Sequence, residues 1–186
     1  LNTVHAYITI PSPAVSAKDS AAIARADRLV SDAKQLTLAR MTAEAVKLHK
    51  EALTGLTLSI QKTSQADQAG KRARKALVSR AIIACAELAQ AQLANFDFAE
   101  ALHTARVARY LNSEPFPPKH GSPPPPKLPN ASEAVFLELE SEAYECKGDV
   151  VSALHSLESA ISLQPYSQLL STAAMRDPDL PTTSQP

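Results

Sequence analysis

Apolar residues recur every three or four positions through most of this 186-residue chain. Between Ser20 and Ile60 the set is Ile23, Ala26, Leu29, Ala33 and Leu36, then Ala45, Leu48, Ala52, Leu53 and Leu56. That period belongs to an amphipathic helix, not to a strand. Composition then limits how the helices pack. Apolar residues make up 45% of the chain, aromatics only 4%, and Trp is absent. Ala and Leu must therefore fill the core, which favours closely packed helices over a strand-rich fold. The length suits one ordinary domain or a short stack of helix pairs.

Helix breakers divide the pattern into six helices, so the expected class is all-α. Met41 and Thr42 mark the first turn, with Thr42 expected to cap the second helix, which runs to near Lys62. A third helix opens at Gly70 and continues to about Ala94. Asn95, Phe96 and Asp97 end it, and a fourth helix runs from about Phe98 to Leu111. Residues 115–129 contain eight of the fourteen prolines and predict a proline-rich loop over 115–130, because proline lacks the helix donor and clashes with the preceding turn. A fifth helix is expected from about Ser132 to Lys147 and a sixth from Val150 to Leu163, parted by Gly148 and Asp149 and stopped at Pro165. Residues 1–18, with β-leaning Val4 to Ile10 halted by Pro11 and Pro13, read as an extended tail. The helical domain spans 19–167, and 168–186 read as a flexible tail.

Lys+Arg and Asp+Glu both total 19, so the net charge is zero and no global field draws the chain to nucleic acid or acidic lipid. Cys85 and Cys146 are too few for a disulfide framework and read as buried thiols in a reducing, cytoplasmic compartment. No apolar run approaches the roughly 18 residues needed to span a bilayer, and the first residues lack a secretory pattern. The chain starts at Leu1 rather than at methionine, as would be expected of a fragment or a processed product.

Residues 134–167, AVFLELESEAYECKGDVVSALHSLESAISLQPYS, resemble a tetratricopeptide repeat, with weaker copies of its second half at EAVKLHKEAL and EALHTARVARYL. The family places small residues at three positions of a roughly 34-residue unit, where paired helices approach closely. Those positions hold Ser141, Ala153 and Ala160 in the third unit. The second unit, about 82–115, has Ala89, Ala101 and Ala108, and the first, about 26–59, has Ala33, Ala45 and Ala52. The third unit also matches at Leu137, Tyr144, Gly148, Asp149, Leu157 and Pro165. Asp32 and Glu140 depart from the pattern by standing where a large apolar residue belongs, so Phe136, Leu139 and Ala143 compete as the inward face of the fifth helix. The resemblance implies an α-solenoid of three helix pairs, with extra residues looped out between units. It also implies a non-catalytic scaffold or adaptor, a subunit of a larger assembly that binds a peptide or helix in its concave groove.

ADRLVSDAKQLTLARMTAEAVKLHKEALTGLTLSIQK, followed by a long third helix, is also similar to the microtubule-interacting-and-trafficking (MIT) three-helix domain, in the version of an autophagy-linked group. That similarity implies a trafficking adaptor gripping a short helical motif.

The tetratricopeptide alignment places Val30, Lys34, Glu87, Val135 and Leu139 where chaperone-binding members hold an acidic C-terminus, so that clamp is absent. It instead puts Glu138, Glu142 and Glu145 on one helical face at i, i+4 and i+7, with Glu87 on the same side. With Lys34 and Gln90, these are the candidate contacts for a basic peptide or helix. The cluster Lys71, Arg72, Arg74, Lys75 and Arg80 suggests an RNA-associated scaffold as a further alternative, although no aromatics are interleaved. Catalytic signals are weak. His49, His103 and His155 fall in separate units and read as surface or groove-edge residues. No CxxC, HExxH or phosphate-binding loop occurs, and neither metal nor cofactor is expected.

Overall fold

The computed structural model describes residues 17–63, 67–111 and 128–163, and among them the fold is entirely helical. The helices are α1 (Ala17–Leu38), α2 (Thr42–Lys62), α3 (Gln68–Ala94), α4 (Phe98–Tyr110), α5 (Asn130–Cys146) and α6 (Val150–Leu163). The tail expected over 1–18 lies outside the described residues except for its last two, which belong to α1. Most of the proline-rich loop and all of 168–186 also lie outside them.

Each helix packs on the next, and α1, α3 and α5 also touch in sequence. On the other side, α2 is joined to α4 by the exposed ion pair Lys50–Glu100 at 3.4 Å. Tight turns join α1 to α2, α3 to α4 and α5 to α6, and all three close in the same way. Arg40, Phe96 and Gly148 adopt left-handed backbone with φ of 62°, 63° and 79°. Their amides donate to Thr37, Leu93 and Glu145, and the next amides, Met41, Asp97 and Asp149, donate to Leu36, Gln92 and Tyr144. This double bond is the Schellman closure, which satisfies carbonyls that a helix end leaves open.

Five residues beyond each left-handed residue stands an alanine, Ala45, Ala101 or Ala153, at 0%, 2% and 7% exposure. Twelve residues beyond stand Ala52, Ala108 and Ala160, all buried. Seven residues before, Ala33 and Ala89 are fully buried, while Ser141 is half-buried and donates from Oγ to the Ala153 carbonyl at 2.9 Å. Side chains this small let the paired backbones approach closely, and the side-chain hydrogen bond links α5 directly to α6.

The extra residues between the first two units are not looped out. They lengthen α2 to Lys62 and start α3 at Gln68, which leaves only a short connection over 63–67. The reason is burial: Ile60, Ala73, Leu77, Val78 and Ala81 keep the helical period and enter the core. Asp67 fixes the start of α3 by accepting from the Gly70 amide at 2.7 Å. α3 is thus the central helix, packed on α1, α2, α4 and α5. It contains a window long and apolar enough to cross a membrane, 72% of which is buried among the other helices.

One local expectation needs correcting, and one open alternative is resolved. Thr42 does not cap α2; its hydroxyl donates to Asn95 Oδ1 at 2.8 Å, tying the first turn to the second. In α5, Phe136, Leu139 and Ala143 form the inward face, and Phe136 is among the largest fully buried side chains. Glu140 is also buried because Arg109 of α4 meets it at 2.6 Å.

Phe96 occupies left-handed backbone, which costs an ordinary residue about 1 kcal/mol or more relative to glycine. Its ring is 80% exposed and makes only an edge contact with Phe98, with centroids 6.2 Å apart. Phe96→Gly should therefore raise stability by about 0.5–1 kcal/mol in urea unfolding. Ala101→Leu, which overfills the α3–α4 contact, should lower it by about 1–3 kcal/mol.

Candidate functional site

The six candidate contacts fall into two groups. Glu87 does not face a groove. Its side chain is 4% exposed and meets Lys34 Nζ at 2.9 Å and Arg80 NH1 at 3.4 Å. Arg80 also binds Asp27 of α1 through Nε. Lys34 and Glu87 are therefore partners in a charged seam between α1 and α3, and Gln90 is half-buried on α3. The alignment placed Glu87 beside the α5 glutamates, but the fold spends its charge on cations of its own chain.

Glu138, Glu142 and Glu145 do lie along one side of α5, with Glu142 and Glu145 exposed and Glu138 half-buried and engaged. Helical spacing makes them a strip on an odd-numbered helix, the layer formed by α1, α3 and α5.

His49 was expected at the surface, yet it is 3% exposed and lies on α2 under the charged seam. Burial lowers its pKa from the ordinary value; the Glu87 carboxylate opposes that effect, and the Lys34 and Arg80 cations add to it. Its Nδ1 has no hydrogen-bond partner among the described residues. The neutral ring is the form this interior tolerates. His103 and His155 are exposed, as expected.

A second polar junction joins α4 to α5. Arg109 donates to Glu133 and Glu140, each at 2.6 Å, and Arg106 donates to the Tyr144 hydroxyl at 3.0 Å. Burial alone would lower the Arg109 pKa, but the two carboxylates raise it above its ordinary value. Further into the core, Thr104 donates to Gln92 Oε1 at 2.8 Å. At the α6 start, hydrogen bonds from the Ser152 hydroxyl and amide hold the Asp149 carboxyl below its usual range.

The basic cluster is split. Lys71, Arg72 and Lys75 are exposed, whereas Arg74 is buried and engaged and Arg80 belongs to the seam. Of the two cysteines, only Cys146 differs from expectation. Cys85 is buried, its thiol pushed up to about 12, while Cys146 is exposed at the end of α5. Among the described residues, no group of three or more His, Cys, Asp or Glu side chains is arranged to hold a metal.

Between α1 and α2 lies a groove of about 650 Å³, lined by small and apolar residues that include Ala22, Ala26, Leu29, Gly55 and Leu58. The Arg25–Glu51 ion pair, at 2.8 Å, also forms part of its wall. No protein-family model matches the chain, and no match was found among curated proteins or solved structures.

Lowering of the His49 pKa means the unfolded chain takes up a proton there before the folded chain does as pH falls. Its influence is absent well above pH 6.5, the ordinary value, and stability is lost as pH drops from there through the folded-state pKa. Urea midpoints at pH 7.5 and 5.5 should therefore differ more for the native chain than for His49→Gln. Equal differences would remove His49 as the titrating group.

Proposed function

We propose that this chain is a non-catalytic protein-interaction scaffold, a right-handed tetratricopeptide-like stack of three helix pairs that binds a peptide or helix along α1, α3 and α5. The observation carrying this reading is the threefold recurrence of one hairpin: the same left-handed closure with buried alanines at the same two offsets. Units that repeat and touch only their neighbours stack into an elongated surface, which is the usual use of such architectures. The segment most suited to a basic ligand is the α5 strip, Glu138, Glu142 and Glu145. Glu87 and Lys34 support the surface from within by binding each other.

A second reading is a trafficking adaptor in which α1, α2 and α3 act as a three-helix bundle. It is favoured by the packing of α3 on both α1 and α2, and by the α1–α2 groove, which has room for side chains of a short helical motif. The two readings separate by location. One uses the odd-numbered helices, the other the groove lined by Ala22, Ala26 and Gly55.

An array of immobilised basic and amphipathic peptides separates them. For the scaffold reading, the native chain should retain basic peptides, and Glu142→Lys with Glu145→Lys should weaken retention tenfold or more while far-UV circular dichroism stays unchanged. Retention unaffected by that double variant but abolished by Gly55→Leu would move the function to the groove.

A further inference from the structure

α6 carries its large apolar residues on the outside. Val150, Val151, Leu154, Leu157 and Ile161 are 60%, 80%, 55%, 39% and 42% exposed, while its buried positions are the small Ala153, Ser156 and Ala160. The inner set seats α6 on α5. The outer set has no such use within the described fold: α2 is covered by α3 and α4 by α5, but no described helix follows α6. A stack whose end face is apolar needs a cover, because terminal units of such arrays ordinarily present a polar face.

The spacing of the outer set indicates what the cover is. Val150, Leu154, Leu157 and Ile161 follow at four, three and four residues, which puts them in one stripe about 17 Å long. The interval pattern reads the same in both directions about a midpoint between His155 and Ser156. An antiparallel copy of the same helix would therefore set Val150 against Ile161 and Leu154 against Leu157, and repeat both contacts across the two-fold axis. Self-complementarity of this kind is what a symmetric dimer requires of its interface. Charge does not oppose it, since the only Asp, Glu, Lys or Arg within α6 is Glu158. Antiparallel helices also bring each N-terminus beside the partner's C-terminus, where their dipoles attract.

We propose that the exposed face of α6 is a homodimer interface, covered by α6 of a second copy running antiparallel. The stripe is short against the roughly 800 Å² per partner of a standard interface, so the dimer belongs to the weak, reversible class. The inference stands on the exposure and spacing in α6 and is independent of any peptide bound along the odd-numbered helices.

Sedimentation velocity of the full chain from about 1 to 300 μM reads a weak, reversible association. The native chain should pass from monomer to dimer, and Leu154→Glu with Leu157→Glu should remain monomeric with unchanged circular dichroism. Should that variant misfold, cross-linking decides. In a Cys146→Ser background, a mixture of Leu154→Cys and Leu157→Cys chains should oxidise to the mixed disulfide in preference to either like pair. A native chain that stays monomeric, whether residues 164–186 or a different protein cover the stripe, overturns the proposal. So does a dimer that survives the double glutamate, or cross-linking with no preference for the mixed pair.

Discussion

The closeness of helix approach at the alanines governs the rest of the structure. With little aromatic volume available, the core cannot be filled by large side chains bridging distant helices. It must be thin. Ala33, Ala45, Ala89, Ala101, Ala105, Ala108, Ala134 and Ala143 are each 2% exposed or less, and the larger Leu56, Ile60, Leu77 and Phe136 lie between them. A thin core tolerates no slack in register, because one added methylene meets backbone rather than a mobile side chain. The left-handed turns set that register by fixing where each second helix begins relative to the first. Their recurrence is a mechanical requirement of alanine packing.

Polar groups inside such a core have to find partners at short range. The seam of Asp27, Lys34, Arg80 and Glu87 and the junction of Arg109 with Glu133 and Glu140 sit where successive helix pairs meet. Buried ion pairs contribute little net stability, since desolvation offsets most of the attraction. They do discriminate. Sliding α5 along α4 by one turn would strand Arg109 from two carboxylates, a far larger penalty than the apolar contacts alone would impose. The apolar faces supply adhesion between pairs, and the charges select one alignment from several of similar packing.

How much of this was legible in the sequence depends on whether a residue's role was set locally. Helix boundaries were readable because Asn95 to Asp97 and Gly148 with Asp149 interrupt a strong apolar period, and the ends fell within about two residues of expectation. The inward face of α5 was half-readable: Phe136, Leu139 and Ala143 were recognised as a candidate face, but Arg109, which makes Glu140 acceptable inside, comes from another helix. Glu87 was misplaced for the same reason. Helical spacing says which residues share a face and is silent on which face a neighbouring helix will cover. Cys85 and Cys146 show it most simply, both helical and both moderately apolar in context, one buried by α3's central position and the other left at a helix end. His49 could have been suspected, since it continues the period of Ala45, Ala52 and Leu56 on α2.

The length of α3 follows from the same competition. A repeat of the usual length would have ended α2 earlier and begun α3 later, leaving Ile60, Leu77 and Val78 in a loop. As helix, those residues are buried in one apolar core, and each large aliphatic side chain removed from water contributes about 1.5–3 kcal/mol. Against that stands the backbone order of some twenty residues, which the extra helical hydrogen bonds only partly offset. Burial decides the outcome, which explains why the first two pairs share a long contact while α4, α5 and α6 stay short. It also makes α3 the central helix, packed on α1, α2, α4 and α5: it carries Glu87 toward α1, buries Leu77 in the shared core, and presents Gln92 to Thr104 of α4. The exposed strip on α5 is positioned only as firmly as α3 holds α4 and α5. The charged seam and the α5 glutamates therefore belong to one mechanical chain.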